Sequence, residues 1–314
     1  MTIPVFQETL HSQSSAGNAV LAEMAESPEM VLSQFLLRRW EVTRQRPVVR
    51  LCGPTAVALM TPTFVAELTR KEYRSVDSIE VIAICPPRDS SPPWTWSPAF
   101  LPDADLVMIL QITTGPLSSS IDALVGLQPA GDGRPARSRR ERFEWDHQRT
   151  VAGLFLRFTD FEPPLPRHYQ FPFVPAGQAE SPQLVVDEFL TRRLEITGQL
   201  PLLQFCGPAA NALMTPEYSA RLTQGDHPLA ADIVVAPECP GPRLDNPGVG
   251  TDVDRVAIAS ISAGQLSATI DAKVIPRTLG GPPYPHGRRE RFEWDRQQKN
   301  PGIVLTFTDF DPPH

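Results

Sequence analysis

The octapeptide RRERFEWD occupies residues 139–146 and occurs again, unchanged, at residues 288–295. Charged and aromatic side chains alternate along it, and successive side chains of a β-strand point to opposite faces. Phe143 and Trp145 therefore share one face of a predicted strand, and the charged side chains around them share the other. The pattern predicts a half-buried strand in each copy, with its aromatic pair in the core and a row of charges outside.

The two octapeptides belong to a tandem duplication. SPEMVLSQFLLRRWEVT (27–43) matches SPQLVVDEFLTRRLEIT (181–197), and CGPTAVALMTP (52–62) matches CGPAANALMTP (206–216). The period is too long for a solenoid, whose repeats have roughly 20–50 residues. We therefore predict two homologous units in one chain.

The duplication divides the 314 residues into two expected domains. The first spans residues 1–164, of which 1–26 are an N-terminal extension. The second spans residues 165–314 and begins with a proline-rich linker at 165–180. Proline fixes φ and has no backbone donor, so this linker and the other proline-rich stretches are expected to be stiff loops.

The order of elements predicts the fold class. Ser27 and Pro28 indicate a helix start, because serine is a preferred N-cap and proline fits the first helical position. A strand, a helix and five further strands follow in each unit, with SSSIDALVGL (118–127) as an example of such a strand. One βαβ step followed by an antiparallel meander predicts an α+β fold, with helices packed on a mixed, mostly antiparallel sheet in each domain. We expect the two domains to pack as a pseudo-two-fold dimer.

Charge and hydropathy limit the classes of partner. The net charge of −7 and the pI near 5.4 argue against a bulk binder of nucleic acid or anionic membranes. No apolar run is long enough to span a bilayer. The first residues lack the basic and apolar regions of a secretory signal. We expect a cytoplasmic protein with no membrane or nucleic-acid partner.

All four cysteines fall at equivalent positions of the two units: Cys52 and Cys85, then Cys206 and Cys239. Each pair is predicted at the carboxyl ends of two parallel strands, where neighbouring strands are close enough for a disulfide. Three interpretations stay open, namely inert core thiols, a redox or disulfide pair, and catalysis. The first is favoured, because cytosolic thiols are normally reduced.

The stretch CGPTA (52–56) carries the catalytic alternative. Cys52 and Cys206 each precede Gly-Pro at a predicted helix start, where a thiol pKa is lowered and backbone N–H groups can form an oxyanion hole. The stretch resembles the nucleophile box of the bacteriocin-processing branch of papain-like cysteine peptidases, which implies a cysteine-dependent hydrolase or acyltransferase with a histidine base. No histidine is shared by the two units. Only His147 could serve Cys52, with Asp146 or Asp160 to orient it.

Other chemical signatures are missing from the sequence. It has no clustered Cys/His spacing of a zinc site and no glycine-rich nucleotide motif. We therefore expect no metal and no cofactor.

A non-catalytic protein-binding or assembly module is the favoured function, in an adaptor, chaperone-like or toxin-neutralising role. Charged rows of this kind usually form cross-strand ion pairs on a solvated face. Two otherwise diverged units agree on every charge of the repeated strand, however, and the alternative is a contact surface between the units or with a partner. Rigid tryptophans in the proline-rich loop 91–100 are a second candidate contact. The cysteine-dependent enzyme ranks second, and a small-molecule binder in a cleft between the units ranks third. The predicted contact residues are Arg139, Arg140, Arg142, Glu144, Asp146, Arg288, Arg289, Arg291, Glu293, Asp295, Trp94 and Trp96.

Overall fold

The protein is described here by a computed structural model. The residues that the structure describes are 27–53, 59, 61–69, 76, 78–82, 105–127, 137–146, 153–159, 181–207, 213–225, 228–239, 253–275, 287–295 and 302–308. Trp94, Trp96, Cys85 and His147, which the sequence singles out, lie outside them.

The described residues of the two repeats form the same elements in the same order. The helices are α1 Pro28–Thr43, α2 Pro62–Thr69, α3 Pro182–Thr197 and α4 Pro216–Thr223. The strands of the first repeat are β1 Val48–Cys52, β2 Ser78–Ile82, β3 Leu106–Thr113, β4 Ser118–Leu127, β5 Arg137–Asp146 and β6 Leu154–Thr159. The strands of the second repeat are β7 Leu202–Cys206, β8 Asp232–Ala236, β9 Arg255–Ala263, β10 Ser267–Ile275, β11 Arg288–Asp295 and β12 Gly302–Thr308.

Local sequence explains where the long helices begin. Ser181 is the N-cap of α3, and its hydroxyl oxygen accepts a hydrogen bond from the Leu184 N–H at 3.2 Å. Pro182 follows at the first helical position, where its missing N–H is not needed. Ser27 and Pro28 occupy the equivalent positions before and at the start of α1.

The twelve strands formed by the described residues belong to one sheet, in the order β2-β1-β3-β4-β5-β6-β12-β11-β10-β9-β7-β8. The two repeats meet where β6 and β12, the last strand of each, pair antiparallel. The predicted fold class, two α+β domains each with its own sheet, is therefore wrong. A strand at the edge of a sheet exposes unpaired N–H and C=O groups. Pairing the edge strand β6 with the edge strand β12 gives these groups hydrogen-bond partners. Hydrophobic periodicity locates a strand but does not say which edges will pair.

The register at this junction, which we call the seam, is symmetrical. Its paired residues are Leu156 with Phe307, Arg157 with Thr306, and Phe158 with Leu305. Leu156 and Phe158 are the equivalents of Leu305 and Phe307. The two pairs that flank the Arg157–Thr306 pair therefore contain the same two repeat positions, with the strands interchanged. A pseudo-two-fold axis therefore passes through that pair.

The described helices cover one face of the sheet. Phe35 of α1 packs against Phe143 with ring centroids 6.1 Å apart, and Phe189 of α3 packs against Phe292 at 6.0 Å. Buried side chains of all four helices join those of the strands in one core cluster. The opposite face of the central strands, which none of the described helices covers, is called the open face below. Among the described helices, none combines the length and apolarity needed to cross a membrane.

Candidate functional site

Beneath the helices, the first repeat buries a cluster of four charged side chains. Arg39 of α1 donates to Glu141 of β5 at 2.8 Å and to Asp105 just before β3. Arg139 donates to the same Glu141 at 2.9 Å. Burial disfavours the charged form of Arg39, but Glu141 and Asp105 outweigh this effect and raise the pKa of its guanidinium. The cluster is electrically neutral, which is how a buried charge becomes tolerable.

The second repeat contains the same buried ion cluster. Arg193 donates to Glu290 at 3.0 Å and to Asp254 at 2.5 Å. Arg288 donates to Glu290 at 3.0 Å and to Asp254 at 3.2 Å. Burial again opposes the charge of Arg193, and the two carboxylates again raise the pKa of its guanidinium.

Two predicted contact residues, Arg139 and Arg288, are therefore not available to a partner. They are only 2% and 4% exposed. Strand alternation explains the correction, because both arginines lie on the same face of the strand as its buried phenylalanine. The charges of the octapeptide are split between the two faces of the sheet.

The same two arginines connect the repeats. Arg139 donates to the main-chain carbonyl of Glu195 in α3 at 3.4 Å, and Arg288 donates to that of Glu41 in α1 at 3.2 Å. The last carbonyls of a helix lack intrahelical partners and attract cations. Each repeat thus supplies an arginine to the C-terminal turn of the other repeat's long helix.

The sequence interpretation missed the helix members of these clusters, Arg39 and Arg193. A signal was present, because both stand at the same position of the repeat, four residues after the core residues Phe35 and Phe189. Residues four apart lie on the same side of a helix. A charged residue placed there must enter the core beside its phenylalanine.

The cysteines are oxidised in the structure. Cys206, the last residue of β7, forms a disulfide with Cys239, which follows the end of the parallel strand β8 by three residues, and their Cα atoms are 4.8 Å apart. Cys52 is also disulfide-bonded, and its partner lies outside the described residues. The favoured expectation of reduced core thiols is wrong for this state. Neither Cys52 nor Cys206 has the thiolate that a nucleophile needs.

The open face carries the remaining charges of the repeated strand. One row of residues, in register across six strands, passes through the pseudo-two-fold axis and is called the central row. Its members are Asp122, Arg142, Arg157, Thr306, Arg291 and Asp271. The side chains of Arg142, Arg157 and Arg291 are 48%, 41% and 49% exposed.

Exposed ion pairs cover this row. Arg142 donates to Asp122 at 3.2 Å and to Glu144 at 2.7 Å. Arg157 lies 3.3 Å from the other oxygen of Glu144. Hydrogen bonding to Glu144, partly offset by burial, raises the pKa of Arg142, and Asp122 adds to the effect. Pairs this exposed contribute little to stability, so stability does not explain why the second repeat also pairs Arg291 with Asp271 and Glu293.

The central row and the rows two residues to either side contain more cations than carboxylates. The cations are Arg140, Arg142, Arg157, Lys273, Arg289 and Arg291, and the carboxylates are Asp122, Glu144, Asp271 and Glu293. Partial burial and the neighbouring charge of Arg289 lower the pKa of Lys273. Asp146 and Asp295, the last two predicted contact residues, lie two residues further out. The middle of the central row is therefore cationic, and its two ends, Asp122 and Asp271, are acidic.

A shallow depression of about 470 Å³ opens on this face. Arg140, Arg142 and Arg157 line it from the first repeat, and Glu293 and Val304 line it from the second. It is not symmetrical, because the equivalent of Arg157 in the second repeat is a threonine. Within the described residues, no group of His, Cys, Asp and Glu side chains is arranged to hold a metal ion.

Comparison with known proteins gives no match among protein-family models, curated proteins or solved structures.

Proposed function

We propose that this chain is a non-catalytic protein-binding or assembly module, and that its contact surface is the open face of the central strands. One observation carries the proposal: three accessible arginines lie in line across the seam, on a face that the described helices leave uncovered. Arginine is enriched in protein interfaces, where its planar donors pair with carboxylates. An adaptor, chaperone-like or toxin-neutralising role remains the class of function proposed.

The enzyme alternative loses support from the disulfides. A cysteine-dependent hydrolase or acyltransferase at Cys52 or Cys206 would act only after reduction. The small-molecule alternative was expected in a cleft between two domains, whereas the described parts of the repeats share a continuous sheet at the seam. The depression beside Arg157 is a candidate place for such a ligand among the described residues.

Cytoplasmic residence, the sequence expectation, is opposed by the Cys206–Cys239 bridge. Structural disulfides persist in oxidising compartments and are rare in the cytosol. We therefore propose that the oxidised chain works outside a reducing cytoplasm. Alkylation of free thiols at the moment of lysis decides this, because a reduced chain would be labelled at Cys206 and Cys239.

The binding function is tested by photocrosslinking in cells that naturally produce the protein. A benzophenone amino acid replaces Thr159 on the open face, and a matched variant carries it at the exposed Arg46, before β1. We expect a discrete protein adduct from position 159 that position 46 does not give. Equal adducts from both positions, or none from either, would contradict a contact surface on the open face.

A further inference from the structure

We propose that the occupant of the open face is an extended acidic segment of a partner protein, whose carboxylates bind across the central row. This inference rests on the proposed binding function and adds the chemistry of the partner. The carriers are Arg142, Arg157 and Arg291, which lie on three of the four strands around the seam.

Charge distribution is the first argument. The whole chain has a net charge of −7, yet the centre of the open face holds six cations against four carboxylates. A local field opposite in sign to that of the whole protein attracts anionic groups to one place. The carboxylates of Asp122 and Asp271 at the two ends of the central row confine the attraction to its middle.

Geometry is the second argument. Strands β5, β6, β12 and β11 are neighbours, so Arg142 and Arg291 stand about 14 Å apart at the usual strand spacing of about 4.8 Å. An extended peptide rises about 3.3 Å per residue, with alternate side chains on one side. A segment of about five residues therefore spans the distance from Arg142 to Arg291 and directs its first, third and fifth side chains toward the three arginines. The depression of about 470 Å³ beside Arg157 gives room for it.

The arginines of the central row already bind carboxylates within the protein. Arg142 holds Glu144 at 2.7 Å, and Arg291 holds Glu293 at 2.8 Å, so the guanidinium groups are oriented for carboxylates. Exposed pairs of this kind contribute at most about 1 kcal/mol, and a ligand carboxylate can exchange with them. A nucleic acid carries one phosphate charge per nucleotide along its whole length and would be repelled by the acidic remainder of the protein.

The test uses the full-length oxidised protein and fluorescence anisotropy at low salt. The probe is fluorescein-labelled hexaglutamate, with labelled hexaglutamine as the neutral probe and hexathymidylate as a nucleic-acid competitor. We expect binding of hexaglutamate alone, weakened by salt. Arg157→Thr, which installs the residue found at the equivalent position of the second repeat, should weaken binding by about threefold to tenfold, the size of one exposed charge-assisted contact. Thr306→Arg should strengthen it by a similar factor, and Arg46→Thr should leave it unchanged.

Several outcomes would overturn the proposal. Hexaglutamine bound as tightly as hexaglutamate would exclude recognition of carboxylates, and displacement of the probe by hexathymidylate would indicate a nucleic-acid surface. Unchanged affinity of Arg157→Thr for hexaglutamate would exclude the central row as the binding site. If Arg157→Thr fails to fold, Arg291→Thr makes the same measurement on the other side of the seam. If hexaglutamate does not bind at all while the photocrosslink at Thr159 still forms, the acidic partner is wrong and the binding function stands.

Discussion

At the scale of single residues, the environment of a guanidinium decides what its arginine contributes. Arg193 is fully buried between Glu290 and Asp254, whereas Arg291, on the open face, is half exposed beside Asp271 and Glu293. Both make two carboxylate contacts. Removing the buried arginine leaves two buried carboxylates that share the single counter-charge of Arg288, whereas removing the exposed one leaves carboxylates that water solvates at once.

We therefore predict very different effects for the same substitution at these two positions. Arg193→Met should lower the free energy of unfolding by about 3–5 kcal/mol, and Arg291→Met should lower it by less than about 1 kcal/mol. Urea unfolding of the two variants and the wild type measures both. Equal losses would mean that Arg193 is solvated and that the buried ion cluster does not form.

The helix ends offer a second comparison between the repeats. Arg44 and Gly198 occupy the same position after α1 and α3, with φ of 57° and 65°, and each donates its N–H to the carbonyl four residues earlier. Only glycine adopts this left-handed conformation without a steric penalty.

Gly198→Ala should cost about 1 kcal/mol of stability by this penalty alone, because an added Cβ at position 198 would have no atom within 4 Å. Arg44→Ala is the control, since that backbone already carries a Cβ, and it should lose side-chain contacts of Arg44 such as its stacking over Trp40 at 4.8 Å, but no backbone conformation. Thermal unfolding compares the two variants. A neutral Gly198→Ala would show that the end of α3 can leave the left-handed conformation.

Asp187 gives a prediction about pH. Burial in α3 raises the pKa of its carboxyl, although Arg221 at 2.6 Å and the hydroxyl of Tyr218 act in the opposite direction. A raised carboxyl pKa means that the folded state binds the proton more tightly than the unfolded state. The ionised group therefore reduces stability once the pH is above the folded pKa, and the reduction disappears below the ordinary value of 3.8.

Asp187→Asn should accordingly be more stable than the wild type at pH 7, because it removes a buried charge while keeping the shape of the side chain. The first repeat already has the neutral Ser33 at this position. Urea midpoints measured at falling pH should converge as the wild-type carboxyl becomes protonated. An asparagine variant that is the less stable protein at pH 7 would show that Arg221 outweighs burial.

At the scale of elements, the sequence located strands well and their neighbours poorly. The predicted strand 118–127 is β4 of the structure, and alternation correctly assigned Phe143 and Phe292 to the core. The same alternation places Arg139 and Arg288 on the buried face of their strands. A charged side chain is not expected in a core, however, unless its oppositely charged partners are known. The pairing of β6 with β12 depends on contacts about 150 residues apart, which local periodicity does not record.

The disulfide between β7 and β8 should contribute strongly to the stability of the second repeat. It closes a loop of 33 residues around α4, and closing a loop of that length removes roughly 3–4 kcal/mol of entropy from the unfolded chain. The double variant Cys206→Ser, Cys239→Ser should lose about that much in urea unfolding. A reducing agent should destabilise the wild type by at least as much, because Cys52 is also bridged. An unchanged double variant would mean that the loop is already restricted in the unfolded chain.

At the scale of the whole molecule, the two repeats behave as halves of one sheet. Phe158 and Phe307 meet edge to face across the seam with ring centroids 5.3 Å apart. The guanidinium groups of Arg139 and Arg288 lie over these rings at 5.2 and 5.4 Å on their way to the opposite helix. Sheet pairing, aromatic packing and helix capping thus all cross the same boundary, so neither repeat completes its own core or its own helix end.

Because each repeat caps a helix of the other, we predict that a substitution in one repeat will destabilise the helix end of the other. Arg139→Lys keeps the positive charge in its buried ion cluster but removes the Nη1 donor that reaches Glu195 of α3. Amide hydrogen exchange in the last turn of α3 should then become faster, by about threefold to tenfold for the loss of one hydrogen bond. Arg288→Lys should do the same to the last turn of α1, near Glu41, and leave α3 unchanged. Each variant is the control for the other. If each lysine variant instead loosened only the helix of its own repeat, the arginines would serve their local clusters and the seam would depend on β6 and β12 alone.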